Sequence, residues 1–191
     1  MSKSFLKTLL GTAVALATAT SAFATTQSTA PVNYSSYGGW NNDLLSEITL
    51  AQGTLSFSSV TGSAFIADQG WGGQDPLGNQ IYLALDDNGT QVWSDHFGGG
   101  VHGGQEVNFD LSADPAAQAS LNSAIAGISW TTDPDVTLEL RSSTIGYPGW
   151  QLFVTDAQFS ATSAVPEATN VSMMLAALGA ISFFARRKKR A

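Results

Sequence analysis

The chain of 191 residues has no cysteine, so disulfide staples are excluded and an exported domain of this sequence must be held by its core alone. Basic residues are almost as scarce away from the ends. Lys3 and Lys7 stand near the start and Arg186, Arg187, Lys188, Lys189 and Arg190 near the finish, which leaves Arg141 as the only Lys or Arg in residues 25–163. Fourteen of the fifteen acids fall in that same region, giving it a net charge of −13. Such a surface repels nucleic-acid phosphates, which excludes DNA and RNA as partners, and it disfavours an anionic polymer unless divalent cations bridge the two. Catalytic and metal signatures are missing as well: there is no His-Glu-x-x-His, no Gly-x-Ser-x-Gly elbow, no EF-hand loop and no Gly-Gly-x-Gly-x-Asp repeat. No internal repeat is visible, which argues against a solenoid or propeller.

What is present is clearest at the two ends. The opening MSKSFLKTLLGTAVALATATSAFATT places Lys3 and Lys7 before an Ala-rich apolar run and a small-x-small site at Ala22-Phe23-Ala24. That three-part pattern predicts a secretory signal peptide, residues 1–24, cut by signal peptidase after Ala24. An amphipathic helix of the folded domain is the competing reading, but no charge follows Lys7 in the run, so it lacks a strongly polar face.

The close of the chain, VPEATNVSMMLAALGAISFFARRKKRA, sets a proline-acid pair before an apolar run of 15 residues, 171–185, and a basic cluster. A bilayer span takes about 20 apolar residues, with a lower limit near 17, so this is a short span. Arg186, Arg187, Lys188, Lys189 and Arg190 would hold its end on the cytoplasmic side. The arrangement resembles the PEP-CTERM sorting signal of Gram-negative bacteria, with Val165, Pro166 and Glu167 carrying the motif and Ala168 standing where that family usually has a second proline. The resemblance covers residues 165–191. It implies recognition by an exosortase, a membrane transpeptidase-like protease that processes such proteins during export, and an association with extracellular polysaccharide and biofilm matrix. The plainer alternative is an ordinary single-span C-terminal anchor.

Between the ends, residues 25–39 are rich in Ser, Thr, Asn and Tyr without periodicity and read as a flexible lead-in, with the domain spanning 40–163 and the sorting signal 164–191. Strand alternation recurs at 53–58, 63–67, 80–86, 90–95, 105–111, 135–141, 150–155 and 157–160. Asn88-Gly89 between two such runs predicts a tight hairpin from Ile81 to Asp95, since both residues tolerate positive φ. One short crossover helix is expected, with Asp114 as its N-cap, Pro115 at its first position and Gly127 as its stop. The sum is an all-β antiparallel sandwich of jelly-roll type with one short helix, flanked by a signal helix and a C-terminal transmembrane helix.

Three constellations could carry chemistry. All five Trp lie in the central region, and Trp40, Trp71 and Trp150 are set beside Gly, which lets a loop expose an indole face for stacking on a sugar ring. Capping the ends of the sandwich is the simpler role for each, but Trp71 lies among Asp68, Gln69, Gln74 and Asp75, groups able to bond sugar hydroxyls, and is open to both readings. Trp93 and Trp130 are assigned to the core. This stretch, with the hairpin and the closing strand, is loosely similar to galactose-binding-like jelly rolls in layout. The second constellation is Asp95 to Glu106, which holds His96 and His102; zinc or acid-base chemistry is conceivable there, but the spacing fits no template and a mobile hairpin loop is the better reading. The third is calcium, the one cofactor the acids would accommodate, through pairs such as Asp68 with Asp75, Asp86 with Asp87, or Asp133 with Asp135; a solvated acidic surface is the simpler account.

The sequence therefore points to an exported, non-catalytic protein of the cell surface or extracellular matrix whose sandwich binds carbohydrate or exopolysaccharide around Trp71. A secreted polysaccharide-acting enzyme and a purely structural matrix protein are the alternatives.

Overall fold

Apolar residues recur at every second position of the strands, so one face of each can leave water. In β5 (Gln80–Asp87), Ile81, Leu83 and Leu85 are fully buried, and in β8 (Val136–Thr144) so are Val136, Leu138 and Leu140. A computed structural model describes residues 22–37, 41–69, 78–130, 135–144 and 151–166. The chain forms two compact units, residues 24–165 and a second comprising 1–23 with 166–191. Most of the second, including the leader's apolar run, Glu167, the C-terminal apolar run and the basic cluster, lies outside the described residues. Among the described residues no helix is long and apolar enough to cross a membrane.

The remaining strands are β1 (Ala22–Ser28), β2 (Val32–Tyr37), β3 (Asn41–Thr49), β4 (Ser56–Gln69), β6 (Thr90–Gly99), β7 (Gln105–Asp110) and β9 (Gln151–Pro166). A 3-10 turn (Leu111–Ala113) and the helix α1 (Pro115–Ala126) lie between β7 and β8. One sheet has the order β1-β9-β4-β7, with β2 following β1 along the same edge of β9; the other has the order β3-β8-β5-β6. Thr26 bonds Thr162 and Ser28 bonds Ser160, so β1 runs antiparallel to β9. With β1 and β2 counted as one edge, the chain winds between the two sheets in the order of a jelly roll. The molecule is thus an antiparallel β-sandwich, and its core is the single cluster between the sheets, from Phe57, Val60 and Ile66 on one side to Leu83, Leu85, Leu138 and Leu140 on the other.

Local chemistry accounts for the elements it foretold. Asn88 and Gly89 take φ of 54° and 81°, the left-handed pair of a tight hairpin turn, and Asp86 Oδ1 accepts the Gly89 N–H at 2.6 Å. Asp114 caps α1 by accepting from the N–H groups of Ala116 and Ala117 at 3.0 and 3.1 Å. Leu121 and Ile125 go fully into the core, and Asn122 and Gln118 bond the backbone of Phe57 and Ser58 on β4, so the helix closes the end of the sandwich where β4 begins.

Elsewhere the structure departs from the sequence reading. Residues 25–37, read as a flexible lead-in, contain β2 and most of β1, because their partner is β9 rather than a neighbour in sequence. Tyr34 packs on the core and donates to Asp43, and Ser36 is buried where Asn41 donates to it at 3.0 Å. Thr61-Gly62, read as a break between two strands, lies inside the continuous β4; a Cβ on Gly62 would stand 2.2 Å from Cζ of Phe109, so the glycine makes room for that ring. The two strands expected at 150–155 and 157–160 are one, β9, which absorbs Asp156 as a bulge with φ of 53°. Trp93 and Trp130, assigned to the core, are half-buried on its rim, and Trp93 donates its indole N–H to Ser120 of α1 at 3.1 Å.

Candidate functional site

Asp68 and Gln69 close β4 at the end of the sandwich opposite α1. Tyr37 and Gln69 are both in register with Gln151, and Gln80 is in register with Gly99 and Ser143. Trp40, Trp71 and Trp150, with Gln74 and Asp75, lie outside the described residues.

Of the proposed ligand-binding group, Asp68 and Gln69 are described. Gln69 is exposed at the end of β4. Asp68 points inward and is 2% exposed. Its Oδ2 accepts from Nδ2 of the fully buried Asn79 at 3.3 Å, and its Oδ1 lies 3.6 Å from Nε2 of His102. Its backbone N–H donates to Val101 at 3.2 Å, and Gly100 packs so closely that a Cβ there would meet the Asp68 Cβ at 2.8 Å. The carboxylate therefore fastens the β6–β7 connection and the start of β5 to the end of β4.

The two histidines have separate surroundings. His96, on β6, stacks on Tyr82 with ring centroids 4.8 Å apart, on the outward face of the β3-β8-β5-β6 sheet, whereas His102 faces Asp68. No group of three or more His, Asp or Glu able to hold a metal ion occurs among the described residues. The outward face around His96 is the site of Arg141, whose Nη1 bonds Glu139 Oε2 at 2.5 Å and whose Nη2 donates to the Asn42 carbonyl at 3.2 Å. Burial alone would weaken the hold of Arg141 on its proton, but the Glu139 carboxylate keeps its pKa above the ordinary value. Thr137 bonds the other oxygen of Glu139 at 3.1 Å, so this carboxylate, 7% exposed, is fully engaged.

The opposite sheet presents a face that the sequence reading did not single out. On its outward side a depression of about 340 Å³ lies across β1, β9, β4 and β7, lined by Ser28, Thr61, Ser63, Asn108, Gln158 and Ser160 among others. Beside it Phe65 and Phe153 are 40% and 36% exposed. Phe65 is in register with Thr155 and Phe153 with Ala67, which makes the two rings diagonal neighbours across β4 and β9. The signal was present as the alternation Thr61, Ser63, Phe65 on β4, but it acquires meaning only when β9 and β7 are set beside it.

No known protein family matches the chain, and no curated protein is similar to it. The likenesses are to parts of larger folds. Among solved structures the chain is similar to infectious bursal disease virus Gt strain, at 13% identity over 76% of this chain and 33% of that one, with a TM-score of 0.42. It is similar to the VP2 subviral particle of the same virus at 14% identity over 75% and 33%, with a TM-score of 0.38. Dimeric latent PorU from Porphyromonas gingivalis is 11% identical over 76% of this chain and 13% of its own, with a TM-score of 0.33. The chain thus spans about a third of the length of the viral structures it matches.

Proposed function

We propose that this chain is an exported cell-surface or extracellular-matrix protein of a Gram-negative bacterium, processed through a PEP-CTERM/exosortase-type signal, whose sandwich binds carbohydrate or exopolysaccharide without acting on it. The observation that carries the sorting half is the register of β1 on β9. Thr26 faces Thr162 and Ser28 faces Ser160; continuing that register sets Ala24, where the leader would be cut, opposite Ala164, one residue before the Val165-Pro166 start of the sorting motif. This neighbourhood of Ala24 and Ala164, at the margin of the unit of residues 24–165, supports a reading in which both cuts would be made side by side. Cutting after Ala24 leaves Thr26 and Ser28 with their partners, so removal of a leader costs the sheet little.

The binding half is supported by electrostatics. With Arg141 engaged by Glu139 and a central region at −13, the surface suits an uncharged polymer far better than an anionic one. The test is twofold. Expressed full-length in a Gram-negative host carrying an exosortase, the protein is expected at the cell surface or in the medium, and Pro166→Ala with Glu167→Ala holds it in the membrane fraction; equal release of both forms overturns the sorting reading. Retention of the full chain on at least one immobilised polysaccharide is expected, without release of reducing ends; release of reducing ends overturns the non-catalytic assignment.

A further inference from the structure

We propose that the outward face of the β1-β9-β4-β7 sheet is the surface that takes up an uncharged polysaccharide chain. Phe65 and Phe153 stack on sugar rings, and Thr61, Ser63, Asn108 and Gln158 bond the sugar hydroxyls. The inference rests on the carbohydrate-binding reading above and places the site on the sheet instead of around Trp71.

Four observations converge on this face. Its polar groups are available: the side chains of Thr61, Ser63, Asn108 and Gln158 line the depression, and none of them is occupied by a hydrogen bond among the described residues. By contrast the hydroxyls of the β1 edge are taken up in fixing that edge, Thr26 with Thr162 at 2.9 Å and Ser28 with Ser160 at 3.0 Å, so they form a wall and not a loose fringe. A flat apolar ring next to hydroxyl and amide groups is the pairing a sugar requires, because a pyranose has C–H faces and an O–H rim.

The rings are also held in position. Gly104 passes against Phe65 so closely that a Cβ there would lie 2.2 Å from the ring, and its φ of 70° is one that glycine adopts without strain. The loop therefore braces the ring while leaving it 40% exposed. From Thr61 to Ala67, the residue in register with Phe153, is six residues of strand, or about 20 Å, enough for several consecutive sugar rings.

Charge selects the class of polymer. The strip holds no charged residue between Thr61 and Ala67 on β4, while Glu106 and Asp110 border it on β7 and Asp156 on β9. The one basic residue of the central region is on the other sheet, paired with Glu139. Glu106 and Asp110 flank Asn108 on β7 and Asp156 lies between Phe153 and Gln158 on β9, so a carboxylated or sulfated chain meets repulsion from the two strands beside β4, and an uncharged chain meets none.

The experiment measures retention of the full chain on amorphous cellulose, a β-1,3-glucan, dextran and the anionic polymer alginate, for the wild type, for the double variant Phe65→Ala/Phe153→Ala and for Thr61→Val/Gln158→Ala. Thermal unfolding of each variant confirms that the exposed positions have been changed without loss of the fold, and Val92→Ser, on the opposite sheet, is the control. The inference predicts retention on an uncharged polymer that falls by about tenfold or more in the aromatic variant and by a smaller factor in the polar one, with Val92→Ser unchanged. Retention that is unaffected in both variants overturns the placement and leaves the carbohydrate reading standing. Stronger retention on alginate than on every uncharged polymer overturns the charge argument. A wild type retained on none of the four overturns the placement and the binding reading together.

Discussion

Arg141 and Glu139 show how a single side chain can carry weight in a domain so poor in basic residues. Glu139 is 7% exposed, and removing its partner leaves a carboxylate in a site that water reaches poorly. Arg141→Ala is expected to lower stability by about 2 kcal/mol, less than the figure for a fully buried pair because the arginine side chain is 25% exposed. Replacing both partners, with Arg141→Met and Glu139→Leu, should recover most of that loss in urea denaturation. Tyrosines supply the pH dependence. Burial, then the hydrogen bond to Asp43, raises the Tyr34 phenol above its ordinary value of 10.0; burial raises Tyr82, against the opposing pull of Arg141. For an acid whose pKa the fold raises, the folded state favours the protonated form. The stabilisation is complete below the unfolded value and disappears as pH climbs through the folded one. Urea midpoints should therefore hold steady near about pH 8 and fall above about pH 10, with a shallower fall in Tyr34→Phe.

At the scale of the element, α1 depends on a cap and β4 on a glycine. Asp114→Ala removes the acceptor for two otherwise unbonded N–H groups and should cost about 1 kcal/mol in thermal or chemical unfolding. Gly62→Ala drives a Cβ into the Phe109 ring and the Gln158 carbonyl and should cost about 1–3 kcal/mol, part of which Phe109→Leu relieves. The elements that were legible beforehand are those whose instructions are local. The hairpin at Asn88-Gly89 and the helix from Asp114 to Gly127 are written in consecutive residues. β1 and β2 were illegible because their strand formers, Phe, Thr, Val and Tyr, stand among Ser, Asn and Gln without an apolar alternation, and the partner that orders them lies more than 120 residues away in sequence. Gly62 was misread for a related reason: a glycine in a strand looks like a break until the ring it accommodates is known. The face around Thr61, Ser63 and Phe65 was equally hidden, since its alternation on β4 is ordinary and its neighbours come from three other strands.

For the whole molecule, charge and connectivity decide behaviour. A central region at −13 repels itself, so raising sodium chloride from about 0.02 M to about 0.2 M should increase the melting temperature as the repulsion is screened. A melting temperature that does not respond would mean that the acids are too far apart to interact. The neighbouring ends of β1 and β9 have a mechanical consequence. A load applied at those two points does not shear the pair along its length; it opens the ladder from one end, so that each hydrogen bond bears the force in turn while the others wait. The sandwich gripped by its termini should therefore yield at low force by peeling, β1 first, and the same sandwich pulled through Thr90 and Thr144 should resist until several strands give way at once.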